Sequence, residues 1–553
     1  MVVDCKQNHG FLEFRVEAIA PLPPHVVVFP FPAQGHIRPF EHFAKRLVAD
    51  YAISVTFVTT TLHLDRARQW SEDSSKTLTP APHHQRNHKI QLVCLDLPEE
   101  YGEVTAANFL ALAEALRNRR DAFAELMKGL MMGACSSPSD SNAAGIIIDA
   151  ADPAATAPPP SPDLHFGPPL CIISDMFLGW TQDIADEFKV PRYCLSSSPT
   201  HFISLLFALR ELNVQGRIPA KKIVGGKPYT IPGMPPIAPL ELPRNLQGDI
   251  KNAEFFLYQG ECLWRAAGVL VNSVYELESS IIEGLQDYIL LQEVHSNNNN
   301  NKKRILTIGP LAEEIGCQAS AREKPQAVDD NDNECLQWLS KQGRESVLYI
   351  CFGTITAQGK QQMSEIAHGL ESSGVHFLWV VRVLKNCENG TIIDVAKLLP
   401  EGFIERTKHR GLVYSSWAPQ LQILAHPAVK GFLTHCGWNS IMEGIAMGVP
   451  MIAWPNYGEQ MMNCRLCVDI LNIAIPVQKT TGEFEEIIGQ DEVKRIAALL
   501  MEDMETAHFL KKNVETLSKS MAAAHAHGGS SKANLDLFVD ELNSMTSLTS
   551  IML

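Results

Sequence analysis

The stretch from Trp417 to Gln460 restricts the possible fold more than any other part of the chain. Its middle contains a short apolar strand pattern, a polar turn from His435 to Ser440 and a helical pattern from Ile441 to Met447. Where a strand ends and a helix begins, free backbone N–H groups and the positive end of the helix dipole favour an anion, typically phosphate. The turn therefore predicts a diphosphate site. Its polar side chains are His435, Asn439 and Ser440.

Other side chains of the same stretch suit the remaining parts of a nucleotide sugar. Glu443, one turn into the helix, can accept hydrogen bonds from the vicinal hydroxyls of a ribose. Trp417 can stack on a flat base, and Gln420 can hydrogen-bond a base edge. Glu459 and Gln460 follow the next strand and offer two polar side chains side by side. Each residue alone has an ordinary structural explanation, such as a core tryptophan or a helix cap, but their joint order predicts a nucleotide-sugar site.

The size and charge of the chain narrow the class of protein. With 553 residues, the chain exceeds a single hydrophobic core and predicts two domains. Its 47 lysines and arginines are outnumbered by 62 aspartates and glutamates, and they form no basic block. Binding to nucleic acid or to an anionic membrane surface would lack its usual electrostatic drive. We therefore predict no nucleic-acid partner. We also predict no stable membrane insertion, because the chain nowhere has 18 uninterrupted apolar residues.

The cysteines and the first residues indicate a compartment. The 13 cysteines are spread without a disulfide framework, which is typical of reduced core thiols in a cytosolic protein. Charged residues interrupt positions 1–24, so this segment does not resemble a signal peptide. We expect a cytoplasmic protein in which residues 1–24 form a loose leader. Cys464 and Cys467 form a CxxC pair, but zinc requires four ligands and we expect no metal.

Apolar strand patterns alternate with helical patterns along most of the chain, which predicts α/β domains built on parallel sheets. A segment rich in Ser, Ala, Pro and Asp predicts a disordered insertion in the first domain. A polar, acidic segment predicts a linker between two doubly wound domains. The predicted boundaries are 25–311 for the first domain, 136–169 for its insertion, 312–333 for the linker, 334–510 for the second domain and 511–553 for C-terminal helices.

One histidine and one aspartate lie at predicted strand ends of the first domain. His36 follows the first strand pattern, and Asp175 ends a later one. Imidazole titrates near neutral pH and suits a general base, and a carboxylate at another strand end can orient it. A structural histidine and a helix N-cap aspartate are the alternative interpretations.

The stretch 417–460 closely resembles the signature box of plant-type UDP-dependent glycosyltransferases of family 1. The resemblance implies the GT-B fold, in which two Rossmann-like domains face each other across a cleft and the second domain holds most of the donor. It also implies that the last helix packs back on the first domain. Further comparable segments are Gly353-Thr354, Leu399–Phe403, Arg410-Gly411 and Gly528–Ser531, so that the resemblance spans most of residues 25–542.

The resemblance also implies a role for each residue of the donor site. The implied contacts are Trp417 to uracil, Gln420 to uracil or ribose, Glu443 to ribose, His435, Asn439 and Ser440 to diphosphate, and Trp438, Glu459 and Gln460 to the sugar, with Ala418 beside Trp417. Thr354, in the Gly353-Thr354 turn, is a further candidate contact to the leaving diphosphate, with a plain cap as the alternative interpretation. Gln460 at the end of the box is associated with UDP-glucose. Glu459 stands where aspartate is also frequent, which leaves a galactose or pentose donor open.

For catalysis, the resemblance implies His36 as the general base and Asp175 as the acid that orients it. An acceptor hydroxyl would attack the anomeric carbon opposite UDP, so that inversion gives a β-glucoside without a metal or a cofactor beyond the donor substrate. The expected acceptor is a small lipophilic molecule, a flavonoid or other phenolic. The alternatives are another UDP-sugar, a terpenoid or hormone acceptor, a UDP-sugar epimerase or hydrolase, and a non-catalytic UDP-sugar-binding protein.

In the family that the sequence resembles, acceptor choice depends on loops of the first domain. His201, Phe202 and the Pro-rich loop 231–243 are the candidate acceptor contacts.

Overall fold

The computed structural model of the protein describes most of the chain. The described residues are 3–8, 11–16, 23–77, 90–98, 101–102, 104–132, 145–148, 166–220, 226–248, 250–295, 303–312, 333–355, 358–382, 394–479 and 486–552.

The first domain is built on an eight-stranded sheet within the described residues. The strand order is β10-β9-β8-β7-β3-β4-β5-β6, and every pair is parallel except the edge pair β5–β6. The strands are β3 (His25–Phe29), β4 (Ser54–Thr60), β5 (Ile90–Leu95), β6 (Gly145–Ile148), β7 (Ile172–Asp175), β8 (Arg192–Ser196), β9 (Gly268–Val271) and β10 (Arg304–Thr307).

Helices cover both faces of this sheet. Alternate residues of a strand point to opposite faces, and in β3 Val27 packs in one buried cluster while Val26 packs in another. Both faces must therefore be apolar, as in a doubly wound parallel sheet. The helices of this domain are α1 (Gln34–Tyr51), α2 (Leu64–Thr77), α3 (Phe109–Arg117), α4 (Arg120–Met132), α5 (Thr181–Phe188), α6 (Thr200–Val214), α7 (Ile250–Arg265) and α8 (Tyr275–His295).

The second domain has a six-stranded sheet of order β13-β12-β11-β14-β15-β16 in which every described pair is parallel. Its strands are β11 (Val347–Cys351), β12 (His376–Val380), β13 (Gly411–Tyr414), β14 (Val429–Thr434), β15 (Met451–Ala453) and β16 (Ala474–Pro476). Its helices are α9 (Glu334–Leu339), α10 (Lys360–Ser373), α11 (Phe403–Thr407), α12 (Gln420–Ala425), α13 (Trp438–Ala446), α14 (Gln460–Arg465) and α15 (Gln490–Met501).

Two long helices complete the chain and divide between the domains. Helix α16 (Met504–His525) packs on the second domain, where Lys511 and Ser518 donate hydrogen bonds to backbone carbonyls at the end of α13. Helix α17 (Ser530–Met552) packs on the first domain, where Phe538 is buried and Tyr193 donates a hydrogen bond to Glu541. The helix implied to cross back is therefore α17, whereas the predicted boundary at 511 falls inside α16.

The structure differs from three sequence predictions. Where a loose leader was expected, strands β1 (Val3–Asn8) and β2 (Phe11–Val16) form an antiparallel hairpin, because alternating residues flank a two-residue connection that contains a glycine. Within the predicted insertion, residues 145–148 form β6, and Gly167 accepts a hydrogen bond from His25. The rest of the insertion, 136–144 and 149–165, and linker residues 313–332 lie outside the described residues.

The third difference is the start of α13. The helix begins at Trp438, three residues before the predicted Ile441, because Gly437 takes the N-cap position. Asn439 and Ser440 therefore lie in the first helical turn.

Candidate active site

Two loops at the carboxyl ends of neighbouring strands bring the predicted base and acid together. His36 lies in the first turn of α1, after β3, and Asp175 ends β7, which pairs directly with β3. His36 Nδ1 donates a hydrogen bond to Asp175 Oδ2 at 2.8 Å. Asp175 is fully buried, and its Oδ1 accepts the backbone N–H of Phe177 at 2.9 Å. The carboxylate is thus held from two sides and fixes the imidazole ring.

The surroundings of His36 set its basicity. Burial, the largest single effect, lowers the pKa of His36, but the charge and hydrogen bond of Asp175, aided by Glu459, outweigh it and raise the pKa above its usual value. Phe31 and Phe177 pack against the ring. The hydroxyl of Ser197 lies 2.9 Å from Nδ1 and shares that nitrogen with Asp175. Nε2 is therefore the ring nitrogen left to accept a proton.

The turn predicted to bind diphosphate, His435 to Ser440, is called the diphosphate turn below. It lies at the carboxyl ends of β11 and β14, where the strand order of the second sheet changes direction. This position is where open α/β sheets bind ligands. His435 lies between Gly353 and Gly437: a Cβ on Gly353 would be 2.5 Å from its Nε2, and one on Gly437 would be 2.4 Å away. Burial lowers the pKa of His435 to about 4, so the ring is neutral near pH 7. His435 can therefore donate a hydrogen bond but adds no positive charge.

The first turn of α13 contacts the first domain next to the base. Asn439 Nδ2 donates a hydrogen bond to the carbonyl oxygen of Gly35 at 2.7 Å. The indole N–H of Trp438 donates to the carbonyl oxygen of Asn272 at 2.7 Å, and the ring is almost fully buried. The sugar contact implied for Trp438 is thus left to its backbone N–H, which as a first-turn group has no partner within the helix.

Gln420 links the other polar groups of the donor site. Its Nε2 donates to Glu443 Oε2 at 2.7 Å and to Ser440 Oγ at 3.0 Å, and its Oε1 accepts a hydrogen bond from the Tyr349 hydroxyl at 3.1 Å. Burial raises the pKa of Glu443, which the Gln420 bond and Arg38 partly offset. The side-chain amide of Gln420 is therefore turned toward its neighbours on α13 and β11.

Trp417 and Arg38 close one end of the donor site. The Trp417 side chain is 59% exposed, and the Arg38 guanidinium from the first domain lies 4.7 Å from its ring centroid. Such a contact between a cation and an aromatic ring holds the two domains together at the mouth of the cleft.

Glu459 and Gln460 form another part of the site, and the charge of Glu459 acts on His36. The Ser198 hydroxyl donates to Glu459 Oε1 at 3.3 Å. Gln460 Oε1 accepts the backbone N–H groups of Asn456 and Tyr457, both at 2.8 Å. This pair of bonds fixes Gln460 and leaves its amide N–H groups as the available donors.

A single cavity of about 520 Å³ unites these groups, a volume within the usual range for small-molecule sites. All of the predicted site residues line it except Asp175, which lies behind His36. Residues of both domains form its walls, and both His36 and Trp438 are among them. Five phenylalanines cover the first-domain wall; these are Phe31, Phe109, Phe177, Phe202 and Phe256.

Comparisons with known proteins agree with this geometry. Residues 311–479 match the family model described as "UDP-glucoronosyl and UDP-glucosyl transferase". Hydroquinone glucosyltransferase of Rauvolfia serpentina is 32% identical over 529 residues, which cover 93% of this chain and 97% of that protein. UDP-glycosyltransferase 72B1 of Arabidopsis thaliana is 30% identical over 519 residues, with 92% and 94% covered. The chain belongs to the UDP-glycosyltransferase family.

Solved structures show the same fold as this glycosyltransferase. The crystal structure of TcCGT1 in complex with UDP superposes with a TM-score of 0.73 at 27% identity, covering 95% of this chain and all of that one. A UDP-glucosyltransferase from Polygonum tinctorium gives a TM-score of 0.71 at 27% identity, with 95% and 99% covered. The predicted GT-B architecture of two Rossmann-like domains is confirmed.

Two residues that the sequence analysis did not single out, Asn272 and Arg38, contact the predicted site residues of the glycosyltransferase. Asn272 accepts the Leu311 N–H through Oδ1 at 2.8 Å, donates weakly to Asn439 at 3.4 Å and accepts the Trp438 indole N–H. It directly follows β9, and its position at a strand end of the first sheet was the available signal. Arg38 had no comparable signal, because only the tertiary structure places it against Trp417.

Only some of the candidate acceptor contacts line the cavity. Phe202 lines the cavity, as does Pro243 of the loop 231–243. His201 is fully buried and bonds to Glu278 and Asn463 instead, so its assignment as an acceptor contact is corrected. The first turn of α6 directs neighbouring side chains in different directions, and only Phe202 faces the cavity.

Among the described residues of the glycosyltransferase, no group of three or more His, Cys, Asp or Glu side chains could hold a metal ion. Cys464 and Cys467 are buried free thiols. In the same part of the chain, none of the helices has the length and apolar character needed to span a membrane.

Proposed function

We propose that the enzyme transfers glucose from UDP-glucose to a hydroxyl group of a small, flat, lipophilic acceptor, a flavonoid or other phenolic. The observation that carries the proposal is the common cavity. The cavity is lined by the five phenylalanines on one side and by residues of the 417–460 stretch on the other. His36, the proposed general base, lines the same cavity. A phenolic ring suits such a wall, because aromatic pairs gain from edge and offset contacts as well as from burial.

The proposed chemistry uses the contacts of His36. Nε2 takes the proton of the acceptor hydroxyl, and the oxygen attacks the anomeric carbon as the bond to UDP breaks. The bonding electrons leave with the diphosphate, and the sugar inverts to a β-O-glucoside. Asp175 keeps hydrogen on Nδ1 and stabilises the imidazolium that forms.

Stabilisation of the leaving UDP needs dipoles already in place. The first-turn N–H groups of α13 and its dipole point at the turn, and the neutral His435 donates one further hydrogen bond. Thr354 follows Gly353 at the end of β11 and lines the same cavity. These groups support a mechanism without a metal, which remains a prediction.

Relatives support the donor and acceptor classes. One relative at 32% identity is named for hydroquinone, and the solved Polygonum tinctorium enzyme is described as glucosylating indoxyl. The TcCGT1 structure contains UDP. Gln460, held by the backbone N–H groups of Asn456 and Tyr457, supports glucose as the sugar.

The test is a matrix of UDP-glucose, UDP-galactose and UDP-xylose against phenolic, terpenoid and hormone acceptors, with products identified by mass. We expect a mass gain of one hexose on phenols with UDP-glucose, and NMR of the product should show a β-linkage. Transfer of the sugar only to terpenoids or hormones would show that the proposed phenolic acceptor class is wrong. Free glucose without a glucoside would indicate a hydrolase.

A further inference from the structure

A chain of buried hydrogen bonds crosses the domain interface behind the diphosphate turn. Glu278 of α8 accepts a hydrogen bond from His201 Nδ1 at 3.1 Å. On the other side, His201 Nε2 lies 2.7 Å from Asn463 Oδ1 of α14. Asn463 Nδ2 then donates to the carbonyl oxygen of Cys436 at 2.9 Å. None of the four residues is more than 1% exposed, so the chain is shielded from water.

The partners of His201 are hydrogen-bond acceptors on both sides of the ring. The Cys436 carbonyl can only accept, so Asn463 presents Nδ2 to it and Oδ1 to His201. Glu278 also acts as an acceptor, because the N–H groups of Thr200 and His201 and the hydroxyl of Ser273 all donate to it. The His201 ring therefore links the carboxylate of Glu278 to the side-chain amide of Asn463.

The electrostatics of Glu278 agree with its role as an acceptor. Burial alone raises the pKa of Glu278, but the hydrogen bond and charge of His201, with bonds from Ser273 and Thr200, outweigh it and lower the pKa. Removing the His201 ring would leave the buried carboxylate without one of its partners, which is costly inside a protein.

The last residue of this hydrogen-bond chain, Cys436, has a strained backbone conformation. Cys436 has φ +63°, a left-handed conformation that is unfavourable for any residue with a Cβ. It connects His435 to Gly437, the N-cap of α13, so its orientation sets the direction of the free N–H groups. Trp438 packs edge-on against the His201 ring, with centroids 6.2 Å apart. Both ends of the turn thus depend on contacts with the first domain.

We propose that the His201 ring, held between Glu278 and Asn463, is a positioning group for the donor that fixes the diphosphate turn against the first domain. The proposal rests on the proposed function, because it takes the turn to bind the donor diphosphate. His201 lies behind the turn and acts through Asn463. Loss of the link should weaken binding of UDP-glucose more than it affects the acceptor site.

The test compares two variants of Asn463 with a matched control on the same helix. Asn463→Asp keeps an oxygen for His201 but presents a second oxygen to the Cys436 carbonyl, and Asn463→Leu removes both bonds. The control is Arg465→Gln, which breaks another interdomain contact of α14, the ion pair with Glu241 at 2.8 Å. Calorimetry with UDP-glucose needs no acceptor and reports donor binding directly, while thermal melting verifies folding.

We expect both Asn463 variants to lose about tenfold in affinity for UDP-glucose, the size of one buried, charge-linked hydrogen bond. Acceptor KM at saturating donor should stay near the wild-type value, and Arg465→Gln should bind the donor normally. Folded Asn463→Asp and Asn463→Leu proteins with wild-type affinity would overturn the proposal. A wild-type protein that binds no UDP-glucose would instead overturn the proposed function.

Discussion

His36 Nδ1 lies 2.8 Å from Asp175 Oδ2, although 139 positions separate the two residues in the chain. The short distance follows from the pairing of β3 with β7, in which Phe29 is opposite Ser174, so the two strands end at the same sheet edge. His36 lines the cavity together with the phenylalanines and the donor-site residues. In this position His36 can take a proton from an acceptor bound in the common cavity.

Replacing the base should stop chemistry without stopping donor binding. We expect His36→Ala to lower kcat by about 10²–10⁴-fold, the usual contribution of general base catalysis. The donor site belongs mainly to the second domain, so calorimetry should show normal binding of UDP-glucose. His409→Ala, at an exposed histidine of the second domain, is the control and should retain full activity. A His36→Ala enzyme with near-normal kcat would assign the base elsewhere.

The pH dependence of kcat/KM should show how the Asp175 carboxylate affects the pKa of His36. Wild-type kcat/KM should fall as the pH drops through a His36 pKa above the usual value of about 6.5, because protonated imidazole cannot act as a base.

In Asp175→Asn the pKa of His36 loses the influence that raises it, so the acidic limb should move to lower pH. The maximum rate should also fall, because Oδ1 would keep the Phe177 N–H and the amide nitrogen would then face Nδ1. Because the amide would donate to Nδ1, the ring hydrogen would move to Nε2. In that tautomer Nε2 cannot accept the proton of the acceptor hydroxyl. An acidic limb in the wild-type position would contradict the role given to Asp175. The measurement is kcat/KM from pH 5 to 9.

Space beside His435 should limit substitution at Gly353. A Cβ there would lie 2.5 Å from the His435 ring, and φ of +76° disfavours any side chain. We expect Gly353→Ala to cost about 1–2 kcal/mol of stability and to weaken UDP-glucose binding by displacing His435. Gly359→Ala is the matched control, since its Cβ would meet nothing within 4 Å and the residue is the N-cap of α10. Equal donor affinities in the two variants would rule out this packing argument.

The phenylalanine wall should control acceptor binding separately from stability. Phe202 and Phe207 are both buried on α6, but only Phe202 lines the cavity. Each substitution by alanine should cost about 3–5 kcal/mol in the free energy of unfolding, as buried phenylalanines usually do. Phe202→Ala should also raise acceptor KM, whereas Phe207→Ala should leave it unchanged in whatever fraction folds. Steady-state kinetics with a fixed phenol, together with denaturant unfolding, separates the two effects.

Much of the donor site was predictable because its signals are local. The order of strand, turn and helix around His435 depends on periodicity over a few residues, and the structure places the predicted site residues around one cavity, with Asp175 directly behind His36. The helix start was misplaced by three residues because Trp438, Asn439 and Ser440 suit a turn as well as a first helical turn. The hairpin at residues 3–16 was missed because short alternating segments next to charged residues give a weak strand pattern.

The sequence by itself determined the two α/β domains, the turn that faces the donor and the histidine and aspartate at strand ends, because these features follow from local periodicity and from the resemblance of one contiguous box. Only the tertiary structure decided that His201 binds Asn463, that Asn439 reaches Gly35 and that Arg38 covers Trp417. Each of these contacts joins separate domains. Their geometry depends on how two folded surfaces pack, and no pattern within either segment encodes that distance.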